Sequence, residues 1–357
     1  MSNSVNQNNK AAVWDYWQKL QYVGIDGVPD VIRAACHPDV DWNGSAPIDR
    51  VQGVDDLIGE VWLPLLRSFP DLRRRPDIFM AGVDDGESVY GSDHGEEWVS
   101  GCGHLTGTFV EDWLGIPATG RKTHIFFGQF YVMREGRIAE SYVMFDVLSV
   151  MRQAGYQVLP PAPGTEGSTI PGPAAGDGIM LTEQDPREGR KTVQLVEAMG
   201  RGLERYVRDR DGADLSRMEQ WRYWSHDMKW YGYSGIGQCR SLEEFEDFHQ
   251  RPWLHGFGDR GLSHAPDHGR VMGFVGEGAY SCGGIWDVVF SHHHGEYAGI
   301  PATGKLMTIR DFDWWKREGE LLTENWVPID LIDLCRQMGV DLMARLAEEI
   351  DRGPVWR

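Results

Sequence analysis

Gly115-Ile116-Pro117-Ala118-Thr119-Gly120 occurs a second time, letter for letter, as Gly299-Ile300-Pro301-Ala302-Thr303-Gly304. The second copy lies 184 residues after the first, and a basic residue follows each copy. The same offset relates further pairs, namely Glu140 and Glu324, Tyr142 and Trp326, Asp146 and Asp330, and Gly155 and Gly339. An offset kept at so many positions indicates an internal duplication, and it predicts two units of the same fold.

The repeat weakens upstream of these motifs, where His37–Trp42 matches His226–Tyr231 only loosely. Between the two halves lies a stretch rich in Pro, Gly and Ala, from Leu159 to Gly178. Such a composition is typical of a linker that is partly polyproline II and partly flexible. We therefore predict a first domain over residues 10–159, a linker over 160–180 and a second domain over 181–357.

Each half begins with helical patterns and continues with strand patterns. Ala11–Tyr22 and Pro186–Arg208 open the two halves as helices, and hairpins such as Lys122–Met133 with Arg137–Phe145 follow. Helices followed by a hairpin-rich sheet are typical of an α+β fold rather than of alternating βαβ units. The sequence predicts two tandem cone-shaped α+β barrels, each a curved antiparallel sheet wrapped around helices.

Composition excludes several classes of partner. The 357 residues carry 35 Lys and Arg against 54 Asp and Glu, a net charge of −19, which disfavours nucleic acid and anionic membrane surfaces. The five cysteines form no CxxC pair, so we expect reduced thiols. The N-terminus is polar, so we expect no membrane partner and a cytoplasmic location. The 15 Trp residues suggest a large aromatic-lined cavity.

These motifs carry a family resemblance. The repeated Gly-Ile-Pro-Ala-Thr-Gly string, two strands about a Gly turn, Glu-x-(Tyr/Trp)-x-x-x-Asp and Arg-Gln-x-Gly resemble the SnoaL-like polyketide cyclases of the nuclear transport factor 2-like superfamily. Ser68–Arg73 is similar to that family's pattern as well. The resemblance implies two tandem copies of the cone fold, packed through their sheets as an internal pseudo-dimer. It also implies an enzyme without a nucleotide cofactor or metal.

In this resemblance, Asp146 and Asp330 occupy the position of the acidic residue that these cyclases use as general acid/base. That residue would abstract a proton alpha to a carbonyl, so that the enolate attacks a second carbonyl in an aldol closure. Burial in an apolar cone would raise the pKa of such a carboxyl toward neutrality. The alternative is structural, because each Asp directly precedes a helix and suits an N-cap.

Side chains near these aspartates give further candidates. Glu140, Tyr142 and Asp146 alternate along one strand and therefore share a face; Glu324, Trp326 and Asp330 repeat them. If that face lines the cone, an acid and an aromatic wall lie beside each Asp. Otherwise the glutamates pair with arginines at the rim. The residues proposed to bind substrate are Trp42, His124, Tyr142, Tyr231, Trp326, Glu140 and Glu324.

Histidines could complete a proton-transfer dyad with an Asp. His37 and His226 lie at matching places after the first helix, and His104 and His124 lie in strand patterns, where a core position is the alternative. The run His292-His293-His294 and the segment His264–His268 contain metal-ligand residue types. Neighbouring strand residues point to opposite faces, so we expect a surface loop at the run and no metal site at either place.

The sequence thus predicts an enzyme that acts on a small apolar or aromatic carbonyl compound by acid/base proton transfer, such as intramolecular aldol cyclisation. A lyase, dehydratase or isomerase of the same fold, and a non-catalytic small-molecule binding protein, remain alternatives. The first unit is slightly favoured as the active one, because it keeps Ser68–Arg73, His104 and His124. Association into a homo-oligomer is left open.

Overall fold

The computed structural model describes residues 2–84, 95–209, 215–258 and 269–355. The helices and strands of the first unit are α1 (Ser2–Tyr22), α2 (Val28–Ala35), β1 (Cys36–Gly44), β2 (Arg50–Gln52), α3 (Val54–Asp56), α4 (Leu63–Ser68), β3 (Arg73–Val83), β4 (Glu97–Thr108), β5 (Lys122–Arg134), β6 (Arg137–Phe145) and α5 (Val147–Ala154). A π-helical stretch, Leu57–Trp62, joins α3 to α4.

The second unit repeats this order. Its elements are α6 (Pro186–Asp209), β7 (Trp224–Gly232), β8 (Gln238–Cys239), α7 (Leu242–Phe245), α8 (Arg251–Gly256), β9 (Arg270–Glu277), β10 (Tyr280–His292), β11 (Leu306–Glu318), β12 (Leu321–Val327), α9 (Leu331–Gln337) and α10 (Leu342–Arg352). The π-helical stretch recurs as Glu246–Gln250.

Each unit contains one six-stranded sheet. The strand orders are β2-β1-β6-β5-β4-β3 and β8-β7-β12-β11-β10-β9, so the two sheets have the same topology. Most neighbours are antiparallel, while β1 runs parallel to β6 and β7 runs parallel to β12. Equivalent register pairs differ by 184 residues, as with Phe130–Tyr142 and Trp314–Trp326. The predicted α+β class, with two curved sheets and helices, is confirmed.

The two units pack through the outer faces of their sheets. Phe130 of β5 lies 4.8 Å from Phe312 and 5.3 Å from Trp314 of β11, measured between ring centroids. The Trp314 indole N–H donates to the Ser100 hydroxyl at 2.9 Å. The inner faces pack on the helices of their own unit, as Trp17 of α1 does on Phe127. Both faces of each sheet are therefore buried, which makes the strands apolar at odd and even positions alike.

The segment between the units is ordered by pairing with both sheets. Ile179 forms a bridge with Phe79 at one sheet edge, and Thr165 forms a bridge with Gln238 at the other. Backbone hydrogen bonds reinforce both contacts, at 2.8–3.1 Å. The segment therefore covers strand edges that would otherwise lack partners, and its partly flexible character stays a prediction. The domain boundaries at residues 159/160 and 180/181 stay a prediction.

Helix α1 begins at Ser2, whereas the sequence predicted a start at Ala11. The additional turns are polar, and two of their side chains have specific partners. Asn9 donates to Glu97 at 2.7 Å, and Lys10 forms a buried ion pair with Glu277 of the second unit. Tertiary contacts of this kind leave no apolar periodicity in the sequence, so the periodicity could not place the start of the helix.

Candidate active site

Asp146 and Asp330 are helix N-caps that also join the two units. Asp146 accepts from the Ser149 amide at 2.9 Å, and Asp330 accepts from the Asp333 amide at 3.1 Å. The second carboxylate oxygen of each reaches across the interface: Asp146 accepts from Ser234, and Asp330 accepts from the Ala46 amide at 2.8 Å. The capping alternative thus describes their local contacts.

Burial raises the pKa of both carboxyl groups, and that of Asp330 reaches about 6. Hydrogen bonds stabilise the ionised forms and lower the pKa, but burial has the larger effect. The two side chains line a hollow of about 20 Å³ between α5 and α9. That volume holds about one water molecule and no organic substrate. Asp146 and Asp330 are therefore titratable groups of an interface and not of a cavity.

The strand face shared by Glu140, Tyr142 and Met144 does not line the cone. Met144 and Tyr142 belong to the cluster between the two sheets, and the Tyr142 ring lies 5.6 Å from Trp286 of the second unit. Glu140 forms an ion pair with Arg134, which is the rim contact given above as the alternative. The predicted shared face exists, and it is the outer face of the sheet.

The equivalent residues of the second unit lie beneath the connecting segment. The Trp326 indole donates to the Pro171 carbonyl at 2.8 Å, and Glu324 accepts from the Ala174 amide at 3.1 Å. Tyr231 packs on Trp326 at 5.4 Å, and burial raises its pKa to about 12. These contacts give the predicted substrate-binding residues structural partners within the chain.

The first-strand histidines lie away from the aspartates. His37 contacts the Arg134 carbonyl at 3.0 Å, at the end of β6 opposite to Asp146, and His226 is exposed. Asp41 pairs with Glu140, and Lys229 pairs with the equivalent Glu324, so Asp41 and Lys229 are equivalent residues of the two units. This offset of 188 residues makes Ser225 the equivalent of His37. The matching of His37 with His226 was wrong by one residue, because sequence similarity alone could not fix the register there.

His104 and His124 lie on the outer face, next to the connecting segment. His104 accepts from the Ile170 amide at 3.1 Å, and its other ring nitrogen lies 3.4 Å from an Asp77 oxygen. His124 contacts the Thr106 hydroxyl at 3.1 Å. His104 therefore pairs with an aspartate that sequence reasoning did not name, and the pair lies next to the linker, with His104 buried and Asp77 half-buried.

The histidine run differs from the expected surface loop. His292 ends β10, and His293 is fully buried, with its ring 5.5 Å from Phe257 and Nδ1 3.1 Å from the Thr303 hydroxyl. The apolar neighbour explains why the middle histidine turns inward. Segment 264–268 lies outside the described residues. In the described parts of the chain, no group of three His, Cys, Asp or Glu side chains is arranged to hold a metal ion.

The interior of the first cone is filled by its own side chains. Trp42 and Trp17 are each at most 3% exposed. The Trp17 indole donates to the Tyr131 hydroxyl at 3.1 Å, and that hydroxyl donates to Gln129 Oε1 at 2.6 Å. Gln129 also accepts from Arg74 at 2.8 Å. This network contains no carboxylate.

The interior of the second cone carries two acids instead. Asp311 and Asp313 of β11 alternate with Phe312 and Trp314, which belong to the cluster between the sheets, so both acids face the helices of their own unit. They stand 184 residues after Phe127 and Gln129. Both aspartates are partly exposed, unlike their counterparts in the first unit.

Asn325 orients one of these acids. Its Nδ2 donates to Asp313 Oδ1 at 2.9 Å and to the Trp314 carbonyl at 3.1 Å, which fixes the amide and the carboxylate together. Burial raises the pKa of Asp313 well above its usual range, and the neighbouring charge of Asp311 adds to this. The hydrogen bond from Asn325 lowers the pKa of Asp313, but its effect is smaller than that of burial. A raised pKa favours the protonated carboxyl, which is able to act as a proton donor.

Aromatic side chains flank the acid pair. Trp315 stacks on Phe274 at 5.5 Å, and Trp230, the register neighbour of Asn325, stacks on His249 at 4.1 Å. The sequence did contain a signal for this site. Asp311 and Asp313 share the strand parity of Met307, Ile309 and Trp315, so two acids interrupt an otherwise apolar inward face.

A larger cleft, of about 320 Å³, lies between the start of α6 and strands β3 and β9. None of the predicted site residues lines it. Its lining includes four acids, Glu183, Asp185, Glu197 and Glu277, together with Arg190 and apolar residues such as Phe274.

The comparisons with known protein families find a match within the first unit. Residues 18–154 match the SnoaL-like polyketide cyclases. This SnoaL-like region extends from α1 to the end of α5, and the second tandem copy stays a prediction. No curated protein matches the chain. Within the described residues, no helix has the length and apolar character that a membrane crossing requires.

Solved structures similar to the chain each cover about the length of one unit. One from Jannaschia sp. CCS1, provisionally described as a SnoaL-like polyketide cyclase, is 21% identical, with a TM-score of 0.34, and covers 41% of this chain and 91% of its own. TsrD from Streptomyces laurentii is 19% identical, with a TM-score of 0.33, covering 41% and 97%. An NTF2-like protein of unknown function from Burkholderia pseudomallei K96243 is 20% identical, with a TM-score of 0.29, covering 41% and 95%.

Proposed function

We propose that the chain is an enzyme whose second unit carries out acid/base proton transfer on a small apolar or aromatic carbonyl compound, without a cofactor. The observation that carries this proposal is the Asp311–Asp313 pair on the inner face of the second sheet, with Asn325 hydrogen-bonded to Asp313. The first unit has Phe127 and Gln129 at these positions, which supply no titratable group.

The acid pair suits both halves of a proton transfer. Two carboxylates close together in one site disfavour double ionisation, so one is protonated while the other is ionised. The ionised carboxylate takes the proton alpha to a carbonyl, and the C–H electron pair forms the enolate. In an aldol closure the enolate carbon then bonds to a second carbonyl carbon, and the protonated carboxyl gives its proton to the new alkoxide.

Aromatic side chains support the substrate class. Trp315, Phe274 and Trp230 offer flat apolar surfaces beside the acids, and the ionised carboxylate disfavours an anionic substrate. Isomerases, dehydratases and lyases of carbonyl compounds share the same first proton abstraction. The products therefore distinguish these reactions, whereas the first step is common to all.

The test measures that first step without knowledge of the natural substrate. The chain is incubated in D₂O with acetophenone or 1-phenylbutane-1,3-dione, and loss of the alpha-proton signal is followed by NMR. We expect exchange faster than in buffer, and a loss of about 100-fold or more in Asp313→Asn, the usual contribution of a general base.

Asp227→Asn is the matched control, because Asp227 is an exposed aspartate of the same sheet. It should exchange protons as fast as the unaltered chain. Product analysis by mass spectrometry then separates cyclisation from isomerisation or elimination. Binding of the ketones without any exchange would favour the alternative of a non-catalytic binding protein.

A further inference from the structure

Phe274 of β9 lies next to both the acid pair and the cleft between the two units. Its ring stacks on that of Trp315, with 5.5 Å between the ring centres. The side chain is partly exposed, and it also lines the cleft of about 320 Å³. A cleft of this volume is large enough for a small organic ligand. One aromatic side chain therefore borders a ligand-sized space and the proposed proton-transfer site.

The Phe274 ring lies directly beside Asp313. Gly283 of β10 is the register partner of Asp313, and a Cβ atom on Gly283 would lie 3.0–3.1 Å from three atoms of the Phe274 ring. Register partners in an antiparallel pair carry their side chains on the same face, about 5 Å apart. The ring therefore occupies the space that the absent side chain of Gly283 leaves next to the acid.

The first unit fills the equivalent space from a helix. Gly101 is the register partner of Gln129, which corresponds to Asp313. A Cβ atom on Gly101 would lie 2.9 Å from the Trp17 indole, which is 1% exposed and hydrogen-bonded within the cone. Phe274 instead belongs to the edge strand of its sheet. The same space is thus closed by a fully buried side chain in the first unit and by one at the border of a cleft in the second.

We propose that Phe274 is a specificity-determining residue of the second unit, because its ring closes the passage from the cleft to Asp313. A carbonyl substrate enters from the cleft and displaces the ring, and the part of the substrate that lies beyond its carbonyl group remains in the cleft. The size of the side chain at position 274 then sets the largest ketone that reaches the acid. This inference rests on the proton transfer proposed above, but the passage is measured without that reaction.

The passage is tested with a cysteine at the position of the acid. All five native cysteines are buried, so iodoacetamide should alkylate the thiol of Asp313→Cys in preference, and peptide mass spectrometry measures the rate. Adding Phe274→Ala should raise this rate about tenfold or more, because the reactivity of a thiol follows its accessibility. Phe274→Leu, which keeps an apolar side chain in case Phe274→Ala does not fold, should give a smaller increase.

Two further variants locate the passage. Phe248→Ala removes a phenylalanine that is 40% exposed on the same unit, and it should leave the alkylation rate unchanged. Gln194 is exposed and lines the cleft, so Gln194→Trp should narrow the cleft and slow the alkylation in the Phe274→Ala background. An alkylation rate that neither Phe274→Ala nor Phe274→Leu raises, or that Gln194→Trp does not lower, would overturn the proposal.

Ketone selectivity connects the passage to the reaction. The rate of alpha-proton exchange of 2-acetylnaphthalene, relative to that of acetophenone, should rise about tenfold in Phe274→Ala, because the wider passage admits the larger ketone. An unchanged ratio, with exchange of both ketones, would overturn the role of Phe274 in specificity. Faster alkylation without exchange in any variant would instead contradict the proposed reaction, while it would still establish the passage.

Discussion

The Asp146 carboxylate accepts two hydrogen bonds from Ser234, one from the backbone amide at 3.2 Å and one from the hydroxyl at 3.0 Å. The two residues belong to different units. Asp330 makes the equivalent contact in the other direction, to the Ala46 amide. Reciprocal contacts of this kind are the mark of a self-complementary interface, here formed within one chain.

Asp146→Ala should destabilise the fold by about 3 kcal/mol. Loss of an N-cap costs about 1 kcal/mol, and the unpaired donors of Ser234 add about 1–3 kcal/mol. Urea unfolding measures the change. Asp341→Ala is the matched control, since Asp341 is exposed and caps α10 through amides of that same helix. It should lose only about 1 kcal/mol, and an equal loss in the two variants would contradict the joining role of Asp146.

Asp330 should make stability fall as the pH rises from about 4 to 6. Burial raises its pKa from the usual 3.8 to about 6 in the folded state, so the folded chain binds more protons than the unfolded chain in this window. Asp330→Asn removes this dependence. The variant should gain up to about 3 kcal/mol relative to the unaltered chain between pH 4 and pH 7. Parallel stability curves would contradict the raised pKa.

The internal repeat and the strand patterns made much of the fold predictable from the sequence. The 184-residue offset predicted two similar units, and strand β6 was placed at its observed bounds, Arg137–Phe145. The alternation of Glu140, Tyr142 and Met144 also predicted a shared face. The alternation could not show whether this is the inner or the outer face of the sheet, because both faces are buried and apolar.

The candidate site was missed for a related reason. The family resemblance directed attention to Asp146 and Asp330, which directly precede helices. The acids of β11 lie outside the repeated motifs and were therefore not considered. Asp311 and Asp313 have no acidic counterparts in the first unit, so a comparison of the two halves by shared residues passes over them. The geometry favours the second unit, whereas the sequence slightly favoured the first.

Asn325→Ala should shift the pH dependence of proton exchange to higher pH. The Asn325 amide stabilises the ionised form of Asp313, so its removal raises the pKa of that carboxyl further. We also expect a lower rate, by about tenfold, because the carboxylate loses its fixed orientation. The pH–rate profile of alpha-proton exchange measures both effects. An unshifted profile would assign Asn325 a role in packing alone.

Asp311→Asn should shift the same profile in the opposite direction. The charge of Asp311 raises the pKa of Asp313, and its removal lets Asp313 ionise at lower pH. The profile should therefore move to lower pH, while Asp227→Asn, the exposed control, leaves it unchanged. A shift to higher pH would contradict the electrostatic coupling of the two carboxyl groups.

The most direct measurement compares alpha-proton exchange in three single variants, Asp313→Asn, Asp146→Asn and Asp330→Asn, under identical conditions. Asn preserves much of an N-cap, so the two capping variants should remain folded. The account predicts a loss of about 100-fold or more in Asp313→Asn alone, and rates within about threefold of the unaltered chain in the other two. Full activity in Asp313→Asn, with a large loss in Asp146→Asn or Asp330→Asn, would contradict it.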